Sequence, residues 1–140
     1  MFDKHRVGYG WRSEYNYPYR SDDSDYYAYK RELREKKRAK LESHELWLKT
    51  DGEFGHRLNC NKANLQGALF SEENLERANF SEAVLKKANL TGANLRGANL
   101  NKTELRSANL SRTILVGADL SGANLRGVNL SEANLQDADL

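Results

Sequence analysis

From Leu58 to Leu140 the chain repeats with a period of five, beginning LNCNK, ANLQG, ALFSE, ENLER, ANFSE and running on to ANLQD and ADL. No other feature constrains the fold as much. Taking every multiple of five as the centre of a pentad, Leu fills 14 of 17 centres, the exceptions being Cys60, Phe70 and Phe80. Two residues before the centre Ala stands in 12 of 17, replaced elsewhere by Leu58, Glu73, Thr103, Thr113 and Val128. The residue between them is Asn or Asp in 13 of 17, and the last two places are polar, charged or Gly apart from Val116. Along an α-helix five residues turn about 500°, so successive Leu would diverge by about 140° and form no stripe. In one flat strand an odd period sends successive Leu to opposite faces. A chain that turns a corner after each pentad escapes both problems, because each repeat becomes one side of a closed coil with Ala and Leu on a common axis. The period predicts a narrow solenoid over residues 58–140.

Within such a coil the Leu stack in columns; were four pentads to close a coil, Leu65, Leu85, Leu105 and Leu125 would share one. The Asn before each centre points outward, where its short amide bonds backbone at the turn or stacks between coils. Gly67, Gly92, Gly97, Gly117, Gly122 and Gly127 all take the last place of a pentad, which suits a corner with positive φ. They are not a phosphate loop. Glu73 puts a carboxylate where Ala should point inward, and an unpaired buried charge is costly, so the second coil is expected to be locally distorted; the alternative is an acidic ligand-binding notch. Outward places just after the centres alternate between small residues, from Asn61 and Ser71 to Ser131, and large ones, from Gln66 and Glu76 to Gln136. With four pentads to a coil, two opposite faces would be smooth and two rough. On one rough face Lys86, Arg106 and Arg126 fall twenty residues apart and stack about 4.8 Å apart in successive coils, joined by Lys87. This column reads either as solvated charge or as a basic strip for an acidic partner.

Residues 1–57 are of another kind. They hold all 7 Tyr, both Trp, the only Pro and 13 of the 22 Lys and Arg, but just 7 of the 29 Leu, Ile, Val and Phe. Such a segment cannot bury a core of its own. Residues 1–20 form an extended aromatic and basic tail, with Tyr9, Trp11, Arg12, Tyr15, Tyr17, Tyr19 and Arg20 as the interface-forming types that order on a partner. Residues 21–50 carry acids first and then strong helix formers without Gly or Pro, which predicts one long charged helix with a thin apolar stripe that Lys37 interrupts. Residues 51–57 turn into the solenoid. Leu46, Trp47, Leu48 and Phe54 lie beside the first coil and are expected to cap its open end.

The repeats resemble the pentapeptide-repeat family, whose consensus A(D/N)LXX is matched as they stand by ANLTG, ANLRG, ADLSG and ANLQD across residues 58–140. The resemblance implies a mainly β fold, a right-handed quadrilateral parallel β-helix of about four coils with four pentads per coil, preceded here by the helix and tail. HELWLKTDGEFGHR, residues 44–57, resembles the helix-and-turn lead-in of many bacterial, especially cyanobacterial, members.

Function is bounded mainly by exclusion. The formal net charge of +2 selects no partner. No apolar run of membrane-spanning length exists, and MFDKHRVGYGWR lacks the apolar core of a secretory signal, so we expect a cytoplasmic protein, free or on the cytoplasmic face of a membrane-associated complex. Cys60 is the only cysteine and stands at an inward centre, and His5, His44 and His56 are scattered outside the repeat, so neither a metal nor another cofactor is expected. No nucleophile, Walker or dinucleotide motif is present, and we expect no enzyme. The reading that remains is a non-catalytic scaffold or linker that docks into a larger protein assembly through the tail and the rod; the cyanobacterial lead-in suggests a light-harvesting or photosynthetic complex. The resemblance also implies an alternative, a DNA-mimicking effector of an enzyme such as gyrase, against which stand the 9 bases and 9 acids of residues 58–140. Tyr with Arg also suits an RNA-binding accessory protein, but Asp22, Asp23 and Asp25 and the near-neutral chain weigh against nucleic acid. The repeat stops at Ala138, Asp139 and Leu140 with no capping segment, so weak homodimerisation through the last coil is a further expectation.

Overall fold

The computed structural model describes residues 24–140; the tail residues Tyr9, Trp11, Arg12, Tyr15, Tyr17, Tyr19 and Arg20, and the expected helix start at 21, lie outside the described residues. Among the described residues one helix, α1 (Ser24–Lys49), precedes the repeats. Its end is a Schellman motif: Asp51 takes the left-handed seat (φ 51) while Gly52 N–H donates to Trp47 O at 2.8 Å and Asp51 N–H to Leu48 O at 3.4 Å. The chain then doubles back. His56 N–H bonds both Ser43 O and Ser43 Oγ, at 3.2 and 3.0 Å. Gly55 permits this approach, since a Cβ there would sit 2.2 Å from Ser43 O.

The repeats are a solenoid held by parallel bridges, every one joining a residue to the one twenty further on, from Asn59 with Asn79 to Asp119 with Asp139. Twenty residues are four pentads, so each coil has four sides. The β structure is reduced to one bridge residue per side, flanked by two-residue turns, and among the described residues no extended strand forms. This tempers the expectation of a mainly β chain. A side of five residues, two of them committed to the corner, is too short for more.

The backbone accounting explains the consensus. In the first pentad Cys60 N–H donates to Asn79 O (2.7 Å) and Lys62 N–H to Ser81 O (2.9 Å), both in the next coil. Ala63 N–H closes the turn on Cys60 O at 3.1 Å. In the next coil the residue before the centre donates backward, Asn79 N–H to Leu58 O at 2.9 Å. Four of five amides are then paired, and the fifth, just after the centre, is beyond the ladder's reach. The Asn or Asp side chain two residues earlier accepts it: Asn59 Oδ1 from Asn61 N–H (3.1 Å), Asn99 from Asn101 (3.0 Å), Asp119 from Ser121 (2.9 Å). The same amides also bond between coils, as Asn79 Nδ2 does to Asn59 Oδ1 at 3.2 Å.

Every centre from Cys60 to Leu120 is buried, including the edge-to-face pair Phe70 and Phe80, while Leu125, Leu130 and Leu135 are half-buried and Leu140 is 68% exposed. The inward Thr are neutralised by backbone, Thr103 Oγ1 donating to Leu100 O and Thr113 Oγ1 to Leu90 O at 3.0 Å. Glu73 corrects the expectation of a distorted second coil. It lies in the first coil, where the ladder continues unbroken, with Leu75 N–H to Asn94 O at 2.8 Å and Asn94 N–H to Glu73 O at 3.0 Å. No coil precedes it, and its side chain is half-buried rather than enclosed.

At each of the sixteen corners from Lys62 to Asp137 the last residue of the pentad has positive φ, six times Gly and ten times another residue. Gly117 isolates the conformational term, because a Cβ there meets nothing within 4 Å. Gly117→Ala is expected to destabilise the protein by about 1 kcal/mol, measured by denaturant unfolding. Leu105→Ala, in the middle of a buried column, is expected to cost about 2–5 kcal/mol, whereas Leu140→Ala at the exposed end leaves the melting temperature nearly unchanged.

Candidate functional site

Two places gather chemistry: the junction where α1 meets the first coil, and the outward columns of the rod. The first coil begins with an unpaired ladder edge, and α1 lies across it. Tyr29 and Leu33 are only 6% and 8% exposed, Leu41 packs on the core, and His44 is fully buried. With Lys37 these residues recur every three or four places and form one face of the helix. Lys37 does not interrupt that face. Its Nζ donates to Leu69 O and stands 5.0 Å from the centre of the Phe70 ring, so the amine closes an open carbonyl while its stem covers the core.

His44 makes the second closure with both ring nitrogens. Leu58 N–H donates to Nδ1 at 2.9 Å, and Nε2 lies 2.9 Å from Glu76 O, a group that only accepts. These partners fix the neutral imidazole with its proton on Nε2. Burial pushes the imidazole below its ordinary pKa and Arg57 adds to this, against the Glu76 carbonyl and carboxylate, which favour the charged form. Trp47 stacks on His44 with ring centres 5.8 Å apart, and the Arg77 guanidinium lies 4.7 Å from the Trp47 ring centre.

The expected cap residues are placed differently. Leu46 and Phe54 stay 46% and 57% exposed, Leu48 is half-buried, and Trp47 packs between His44 and Arg77 rather than over the Leu columns. The helix crosses the coil along its length, so a long face meets the coil and not the last turn. Sequence reasoning passed over the covering role of Lys37 because a charged residue in a stripe reads as an interruption; its spacing from Leu33 and Leu41 was the available signal.

Cys60 is fully buried in the core, and burial pushes its thiol up to about 12. It is a neutral packing residue. On the rod, Lys86, Arg106 and Arg126 occupy equivalent places in three successive coils, tied by Lys87 N–H to Arg106 O and Ser107 N–H to Arg126 O. Lys86 is half-buried, whereas Arg106 and Arg126 are exposed. The column is not purely basic: Glu104 approaches Arg106 Nε at 3.6 Å and accepts from Asn124 Nδ2 at 3.2 Å. Elsewhere Glu72 reaches past Gly92 to Arg112 at 3.8 Å, two coils away, through space that a Cβ on Gly92 would fill.

The model of the pentapeptide repeats matches eight copies, over residues 59–97, 74–115, 88–127 and 103–140. The chain belongs to the pentapeptide-repeat family. Membership implies the right-handed quadrilateral β-helix to which the twenty-residue ladder conforms. Among solved structures, a pentapeptide repeat protein from the Arabidopsis thaliana thylakoid lumen is 42% identical, covering 56% of this chain and 55% of its own, with a TM-score of 0.56. Rfr23 from the cyanobacterium Cyanothece 51142 is 38% identical over 59% of this chain and 60% of its own, TM-score 0.45. A pentapeptide repeat protein from Nostoc Pcc 7120 is 32% identical over 64% and 73%, TM-score 0.34. No curated protein matches the sequence. The chain thus spans little more than half the length of the Arabidopsis protein. Among the described residues no helix is long and apolar enough to cross a membrane. With a lumenal relative, family membership does not establish the cytoplasmic location expected from sequence.

The His44 linkage has a definite sign. Its folded-state pKa lies below the unfolded value near 6.5, so the stabilisation is complete above that value and is lost as pH falls through it toward the folded-state pKa. In a Trp11→Phe background, thermal unfolding followed by Trp47 fluorescence is expected to show a falling midpoint between pH 7 and 5. His44→Gln is expected to remove that part of the slope.

Proposed function

We propose that this pentapeptide-repeat chain is a non-catalytic scaffold or linker that docks into a larger protein assembly, using the N-terminal Tyr- and Arg-rich arm and the outward columns of the rod. The observation that carries this reading is the division of labour inside the pentad. Leu and Ala fill the axis, Asn holds the corner, and only the outward places are free to differ from coil to coil. On one face those places stack Lys86, Arg106 and Arg126, a rigid row of cations at the repeat spacing of the ladder, suited to an acidic protein surface. The thylakoid-lumen relative supports a setting in photosynthetic membranes. The equal number of bases and acids in residues 58–140 weighs against DNA mimicry.

Affinity capture from the native organism tests the reading with three baits: the full chain, a deletion of residues 1–20, and the Lys86→Glu, Arg106→Glu, Arg126→Glu variant. The full chain is expected to retain a defined protein partner that both altered baits lose. Equal capture by all three would sink the proposal. Capture of gyrase, with protection of its supercoiling activity from a quinolone, would favour the DNA-mimic reading instead.

A further inference from the structure

The capping helix leaves the first coil's edge open at Asn59, Asn64 and Asn74, whose backbone N–H and C=O have no backbone partner among the described residues, and at Asn59 the open edge meets a groove against the helix. In the second coil the residue before the centre pairs twice with the coil preceding it: Asn79 N–H donates to Leu58 O at 2.9 Å, and Asn79 O accepts from Cys60 N–H at 2.7 Å. Asn59 holds the same place one coil earlier, and no coil precedes it. Among the described residues its N–H and C=O have no backbone partner, and the residue is exposed. By the register of the ladder both groups face the gap between the coil and α1. At Leu69 and Glu76 the carbonyl on that edge is bonded by Lys37 and His44. At Asn59 the gap is a groove of about 420 Å³, lined by Ala39, Lys40 and Ser43 on one side and His56, Arg57, Leu58 and Asn59 on the other. That size is within the range of about 300–1,000 Å³ usual for ligand sites.

The walls of the groove are built. Ser43 Oγ accepts from His56 N–H at 3.0 Å, and the tight passage at Gly55 holds the returning chain against the helix. Arg57 Nε donates to Arg77 O at 2.6 Å, which anchors the guanidinium and leaves its two terminal nitrogens for another acceptor. The lining holds two cations, Lys40 and Arg57, and no carboxylate.

We propose that this groove receives an extended acidic segment of a partner protein as one added rung of the ladder. The segment's carbonyl accepts from Asn59 N–H, its own N–H donates to Asn59 O, and an Asp or Glu side chain meets Arg57 beside Lys40. This is strand addition at a sheet edge, in which main-chain bonds give affinity and a charged pair gives selectivity. It deepens the scaffold reading by naming the partner's chemistry at a site apart from the Lys86, Arg106 and Arg126 column. Failure here with an intact, column-dependent capture would leave the scaffold reading standing.

The test uses the full-length ¹⁵N-labelled chain and three capped five-residue peptides of alternating Val and Thr. One carries a central Asp, one a central Asn, and one the Asp with its rung-forming amide N-methylated. The Asp peptide is expected to shift the Asn59 amide resonance and slow its hydrogen exchange. The Asn and N-methyl peptides are expected to bind roughly tenfold more weakly, as is the Asp peptide to Arg57→Gln. Because the peptide series is read on the unaltered chain, the result does not depend on the variant folding. Binding of the Asp peptide unaffected by N-methylation would reduce the site to an ion pair and overturn the proposal. Absence of any Asn59 shift at millimolar peptide would overturn it too. A slowly exchanging Asn59 amide in the free chain would show the rung already filled by the chain's own residues, with the same consequence.

Discussion

A pentad has five backbone N–H groups, and the rod exists because four find backbone acceptors and the fifth, in most pentads, a side-chain one, within a side only five residues long. Three bond neighbouring coils, one closes the corner, and the fifth is taken by the Asn or Asp carbonyl or carboxylate two residues back, as Asn59 takes Asn61. Where Leu69, Val84 or Ile114 replaces Asn, that side-chain acceptor is missing, and scattered exceptions of this kind are tolerable because the affected amide sits at an outward corner. The corner is the costly part. Ten non-Gly residues adopt positive φ, from Lys62 to Asp137, at about 1–2 kcal/mol each, and buried Leu columns with a continuous ladder hold them there.

A ladder that repeats without limit has an edge at each end, and its first coil shows how an edge is closed by something other than another coil. Helix α1 supplies polar side chains instead of a strand. Lys37 covers one carbonyl and His44 another, and the same imidazole accepts the amide of Leu58. Burial then makes the closure depend on His44 staying neutral, which ties the fit of the helix to proton concentration. The closure is incomplete at Asn59, Asn64 and Asn74, and at Asn59, just past the bonds that tie His56 to Ser43 and Leu58 to His44, a cationic groove remains.

The recurring residues are occupied by the fold, so any recognition falls to the places that vary. Those places are presented at fixed spacing by a backbone that has little freedom to move. A column such as Lys86, Arg106 and Arg126 is therefore preorganised for its partner, although Glu104 breaks its charge midway.

Much of this was legible in the sequence, because a strict period leaves few physical solutions. Helix and flat strand both fail at five residues, and the surviving coil assigns Leu105 inward and Asn99 outward before any coordinate is known. Gly at the end of six pentads announced positive φ, but that Lys62, Arg77 or Ser107 adopts it too followed only from the closure of the coil. The cap was harder to read. Leu46 and Phe54 are apolar and adjacent to the repeats, yet they stay exposed, while Lys37, Lys40 and His44 meet the coil. Which face of α1 is covered depends on the angle at which the helix crosses the first coil, and the turn from Thr50 to Arg57 sets that angle through Gly55 and Ser43. Sequence by itself determined the coil, since a repeat imposes the same local solution at every step and needs no partner from afar. Tertiary structure alone decided what stands at the coil's end, since that contact is made once, between segments that share no pattern.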